Sequence, residues 1–166
     1  MGAPDEALEQ LMTALASWNY AAAFPVGYAG TKAPMLMDSW PYDLLDNILI
    51  EQDGVMTQPI VAVIAAMDND RVRSFGDNQF AGGTGTKAMG VDLAFVVSCW
   101  ADERMGGGPT AMKLAGQVQG CVFGNRNTLA AFRRLTCKGG PLAYEERPQM
   151  WRAELTVTGT GVNSYT

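Results

Sequence analysis

The chain has 166 residues, 48% hydrophobic and 17% charged, with a net charge of −5. That length and apolar content suit one domain with a substantial core and exclude a disordered chain. The acidic balance argues against a nucleic-acid binder of the basic-patch kind. The absence of histidine removes the commonest general base and zinc ligand, and with them any Ser-His-Asp or Cys-His pair within one chain.

Pro4-Asp5-Glu6 starts a helix with acidic residues at its positive end. Leu8, Leu11, Met12 and Leu15 mark its buried stripe. An acidic opening followed by an amphipathic helix is not a secretory signal. Glu6 stands where a myristoylation site requires Ser or Thr. Residues 18–57 then read as an irregular connector broken at Phe24-Pro25-Val26-Gly27 and Lys32-Ala33-Pro34. Met35-Leu36-Met37 fits a short strand, and Asp43 to Ile50 fits a helical turn and a strand equally well. Trp18, Tyr20, Phe24, Tyr28, Trp40 and Tyr42 crowd this region. Such aromatics pin a connector to the core, or form a subunit contact, where Trp and Tyr are enriched.

Gln58 to Met67 is a buried strand, and its apolar run is far too short to span a bilayer. A long, glycine-rich and polar loop follows at about 68–88. Val91, Leu93, Phe95, Val97 and Cys99 then alternate with Asp92, Ala94, Val96, Ser98 and Trp100, the period of a strand buried mainly on one face. The two strands predict an extended hairpin with a flexible tip. Gly83 to Ala88 matches a relaxed dinucleotide pattern, but it precedes a strand instead of joining a strand to a helix. Asp68-Asn69-Asp70 lacks the later glycine and glutamate of a calcium loop. Arg71, Arg73 and Lys87 make the loop locally positive, suited either to solvent or to an acidic neighbour such as a second copy of this chain.

Gly106-Gly107-Gly108-Pro109 starts a helix, with Pro109 expected at its first position. Ala111, Leu114, Ala115, Val118, Cys121 and Val122 form its apolar stripe, and Gly124-Asn125 predicts a left-handed stop. Ala131 to Cys137 reads as a short strand turned by Lys138-Gly139-Gly140-Pro141. Tyr144 to Arg147 starts a return, Pro148 interrupts it, and Trp151 to Thr158 completes it. Ser164-Tyr165-Thr166 reads as a frayed tail. Neighbouring acids at Asp102/Glu103 and Glu145/Glu146 point to opposite faces of a strand. Three scattered cysteines argue for buried thiols and a reducing cytoplasm, and against a disulfide framework or zinc site. No catalytic residue, cofactor or metal is predicted. The expected fold is α+β: one domain with a mixed, mostly antiparallel sheet, a long hairpin, an N-terminal helix and a central helix.

The order of these elements resembles the tail terminator (tail completion) proteins of long-tailed bacteriophages and phage-like particles. The residues that carry it are Phe24-Pro25-Val26, Leu93 to Trp100, Gly106 to Met112 entering a helix that ends at Phe123-Gly124-Asn125, and Arg152 to Thr158. The resemblance implies a hexameric ring that caps the tail tube, ends its polymerisation and joins the head-completion or neck proteins, with DNA passing through only as cargo. It implies a non-enzymatic virion protein at the tail–neck junction, assembled in the host cytoplasm, with no membrane partner. On this reading Arg71, Arg73, Phe75, Phe80 and Lys87 form the subunit or tube interface. A tail-tube subunit or head-closure protein is the nearest alternative, and a small-molecule binding domain the alternative of a different class.

Overall fold

The computed structural model describes residues 3–39, 58–65, 72–74, 87–146 and 149–165. Helix α1 covers Ala3–Ser17 and α2 covers Gly107–Gly124. The strands are β1 (Met35–Met37), β2 (Ile60–Ala65), β3 (Val72–Ser74), β4 (Lys87–Ala101), β5 (Arg133–Glu145) and β6 (Met150–Tyr165). They form one sheet in the order β1-β2-β4-β6-β5, and β3 pairs with the early part of β4. Among the described residues only β1 and β2 run parallel. The fold is therefore α+β with a mixed, mostly antiparallel sheet.

β4 forms because its alternate residues are large and apolar, and it is paired on both sides. Ile60 to Ala65 of β2 face Trp100 to Phe95 on one side. On the other, all fifteen residues of β4 pair with β6, from Lys87↔Tyr165 to Ala101↔Trp151. Val61, Val63, Leu93, Phe95, Val97, Cys99, Ala153, Leu155 and Val157 share one face and are buried there. Both helices cover that face. α2 supplies Ala111, Leu114, Val118, Cys121 and Val122, its expected stripe. α1 supplies Ala7, Leu11, Ala14 and Leu15. Leu8 and Met12, expected in the stripe with Leu11 and Leu15, flank it half-buried.

The connector aromatics lock the helix layer. Trp18 packs its ring on Gly120 and Gly124 of α2, where bare backbone leaves room for an indole. Its Nε1 donates to Gln117 Oε1 at 3.0 Å. Tyr20 is buried and donates its hydroxyl to the Leu15 carbonyl. Phe24 and Tyr28 stack at 5.1 Å across a turn closed by Tyr28 N–H to the Pro25 carbonyl. Gly27 in that turn has φ +85°, which the third position of a type II turn requires. Trp40 and Tyr42 lie outside the described residues.

The structure corrects several expectations. α2 begins at Gly107, so Pro109 is its third residue. Asp102 prepares that start: its Oδ1 accepts from Met105 N–H at 3.0 Å, and its carbonyl accepts from Gly107 N–H at 2.9 Å. α2 does not end in a left-handed residue, since Asn125 has φ −99°. Instead the Asn125 side chain donates to the Cys121 carbonyl. Ser164 and Tyr165 are not frayed, because they pair with Ala88 and Lys87. β4 is buried mainly on its helix-covered face as far as Val97, with Asp92, Ala94 and Val96 half-buried, but Ser98 and Trp100, on the face away from the helices, are also 0% exposed. A polar chain of contacts accompanies them. Trp100 Nε1 donates to Ser98 Oγ at 3.0 Å. The Arg152 guanidinium lies 5.7 Å from the Trp100 ring centre, within cation–π range, and is held by Glu145 and Glu154 on either side.

Candidate interaction surface

The largest departure from the sequence reading is β5. The segment Lys138-Gly139-Gly140-Pro141, expected to turn, runs straight on as strand. Thr136 to Gly139 pair with Thr158 to Leu155, and Leu142 to Glu145 pair with Ala153 to Met150. One extra β5 residue is accommodated between Arg133 and Thr136, and another between Gly139 and Leu142. These are β-bulges, which bend a strand and strengthen its twist. Arg134 stands in the first with φ +53°. Gly140 stands in the second, where a Cβ would come within 3.2 Å of the Glu154 carbonyl oxygen. Pro141 is compatible with this position because an edge strand can spare an N–H. The chain reverses only after Glu145, and the return strand begins at Met150.

Among the described residues β5 pairs with β6 alone, so its other side is a sheet edge thirteen residues long. Gln119 of α2 reaches the middle of the strand and donates to the Cys137 carbonyl at 3.4 Å. Thr136 and Thr158 join their hydroxyls across to β6. Arg133, Arg134, Thr136 and Lys138 are exposed. Leu142 and Tyr144 are 37% and 45% exposed. Tyr144 meets Trp151 edge-on at 5.3 Å. Trp151 in turn lies against Gly108, where a Cβ would sit 3.2 Å from its ring and 3.5 Å from Leu142. Gly108 thus lets the start of α2 settle on the Leu142–Trp151 pair. Trp151 Nε1 donates to Glu103 Oε1 at 2.7 Å, which keeps that carboxylate beside the positive end of α2.

The charges are distributed unevenly. β5 carries Arg133, Arg134 and Lys138 within six residues, and none of them forms an ion pair among the described residues. α1 carries Asp5, Glu6 and Glu9 and no basic residue. Glu6 and Glu9 border an open groove of about 520 Å³ between α1 and the turn after α2, with Gln10, Thr13, Asn125 and Thr128 among its walls. Gln10 also accepts from the Ala131 N–H at 2.9 Å, tying α1 to the lead-in of β5.

Of the residues expected at an interface, Arg71, Phe75 and Phe80 lie outside the described residues. Arg73 is the middle residue of β3 and pairs with Gly90, and Lys87 is the first residue of β4 and pairs with Tyr165. Their backbones are therefore in the sheet. The β5 edge was missed by sequence reasoning. Its signal was a switch of apolar residues from odd positions (Leu135, Cys137) to even ones (Leu142, Tyr144), the mark of an inserted residue in a continuing strand.

Burial pushes all three thiols up: Cys121 to about 11, Cys99 further, and Cys137 upward. They remain protonated at neutral pH and behave as small apolar groups. Among the described residues no group of three Cys, Asp or Glu is placed to hold a metal ion. No described helix is long and apolar enough to cross a membrane. No protein family matches the chain, and no curated protein is significantly similar to it in sequence.

Proposed function

We propose that this chain is a structural virion protein whose copies form a ring, the likeness to tail terminators supplying the specific role. The ring caps the last layer of the tail tube, stops its growth and joins the tail to the head-completion or neck proteins. DNA passes through as cargo, and no catalytic step is involved. The observation that supports this reading is the β5 edge, a long strand with one unpaired side next to an exposed apolar pair. A ring needs two different patches, one on each side of the subunit. A sheet edge offers one by main-chain pairing or by accepting a covering element. The hexameric count and the location at the tail–neck junction rest on the resemblance alone.

Electron microscopy of the purified protein mixed with tail tubes tests the proposal. Single rings at tube ends are the expected result. Long tubes formed by the protein alone would assign it to the tube itself. Tubes with bare ends at saturating protein would remove the capping role.

A further inference from the structure

We propose that the β5 edge docks on α1 of a second copy of this chain, with Arg133, Arg134 and Lys138 of one subunit facing Glu6 and Glu9 of the next. The inference rests on the ring reading above and names the surfaces that join its subunits. The argument starts from charge. The chain is acidic overall, with 12 basic against 17 acidic residues. Even so, three basic residues gather in the first half of one edge strand, exposed and without ion-pair partners among the described residues. Such a patch on an acidic protein is matched by the protein's own acidic surfaces.

α1 is the complementary surface. Its carboxylates at Glu6 and Glu9 are exposed and unopposed by any basic residue on the helix. On the helix itself Gln10 donates to Glu6. The open groove beside Glu6 and Glu9 has room for side chains projecting from a neighbour. The bulge at Arg134 gives that residue its positive φ, and bulges on edge strands re-aim side chains out of the regular pleat. A helix laid along a sheet edge also covers its unpaired backbone groups. Carboxylates can accept from guanidinium groups and from backbone N–H groups alike.

The contact is head-to-tail when each subunit turns its β5 edge to one neighbour and its α1 to the other. Repetition of one head-to-tail contact closes into a ring when the rotation permits. Because the contact is between exposed charges, it weakens as salt rises.

Charge reversal on each surface tests the pairing. One variant carries Arg133→Glu, Arg134→Glu and Lys138→Glu, and the other carries Glu6→Lys and Glu9→Lys. Sedimentation velocity follows each alone and the two mixed in equal amounts, at low and high salt. The expected result is that the unmodified chain self-associates, less so at high salt. Each variant alone is then monomeric with an unchanged circular dichroism spectrum, and the equimolar mixture regains oligomers of the unmodified size. That recovery also shows that both variants fold. Three outcomes overturn the inference: an edge variant that associates as the unmodified chain does, a mixture that stays monomeric, or an unmodified chain that remains monomeric throughout. The tube-end assay keeps the two proposals apart. Normal capping by the edge variant removes this contact and leaves the capping role standing, whereas bare tubes with the unmodified protein remove the capping role whatever the mixing result.

Discussion

β4 and β5 flank the same strand, β6, and have similar lengths of fifteen and thirteen residues, but they have opposite characters. β4 is paired on both sides, keeps an unbroken register with β6, and carries much of the core. β5 is paired on one side, shifts register twice, and exposes most of its residues. The difference shows how one sheet divides its work. In an interior strand that fills space on both faces an inserted residue would shift every later side chain to the wrong face. An edge strand can take a glycine, a proline and a left-handed arginine, and these irregularities shape a surface instead of damaging a core.

The largest expected effect lies in β4. Phe95 is buried, packs edge-on against Phe132 at 5.8 Å, and sits opposite Val157. Phe95→Ala removes that packing and leaves a cavity, at a cost of about 3–5 kcal/mol. Urea denaturation measures it. A loss under 1 kcal/mol would mean that the β4 centre is not the core.

The junction that ends β4 comes next. Gly106 has φ +107°, and a Cβ there would come within 2.8 Å of Pro25 Cγ. Gly106→Ala therefore combines backbone strain of roughly 1–3 kcal/mol with displacement of the Pro25 turn. Thermal unfolding detects it. The equivalent change at Gly139, where a Cβ would have nothing within 4 Å, is expected to leave the melting temperature within a few degrees of the unmodified value.

The thiols under the helix layer sharpen the contrast further. Burial raises Cys121 from 9.0 to about 11, and it raises Cys99 and Tyr20 as well. Above about pH 9 the unfolded chain loses the thiol protons, and above about pH 10 the tyrosine proton, while the folded chain keeps them. The unfolded state then binds fewer protons, so stability falls as pH rises. For Cys121 the loss begins near pH 9 and levels off above about 11. Replacing it by alanine should flatten the slope of stability against pH by up to about 1.4 kcal/mol per pH unit. Denaturant titrations from pH 8 to 11 compare the two chains, and identical slopes would contradict burial of the thiol.

The same contrast governs what could be read from the sequence. The alternation from Val91 to Cys99 and the stripe from Ala111 to Val122 are local patterns, and both elements stand where those patterns put them. Burial of Trp100 and Ser98 was not legible, because it depends on which strands and side chains lie beside them. β5 was cut in two because Gly139-Gly140-Pro141 carries the same residues a turn would use. Only pairing with the single strand β6 distinguishes a bulge from a reversal there. The tail at Ser164-Tyr165 was misjudged for a related reason: its partners, Ala88 and Lys87, lie more than seventy residues away in the chain. Edges and long-range pairings are decided by neighbours, so the candidate surface was the least legible part of the molecule.

The smallest expected effect falls on the exposed end of β5. Tyr144 is 45% exposed and touches Trp151 edge-on. Tyr144→Ala removes one aromatic pair, worth about 0.5–1.5 kcal/mol, and little buried area, so the subunit should remain folded with a modest fall in melting temperature. Trp151 fluorescence should change, because its ring loses a neighbour while its Nε1 bond to Glu103 remains. If β5 is a working surface, the same variant should weaken self-association by far more than it weakens folding. Folding and association that fall together would mean that Tyr144 is there to steady the sheet edge, and the division of labour between β4 and β5 would have to be redrawn.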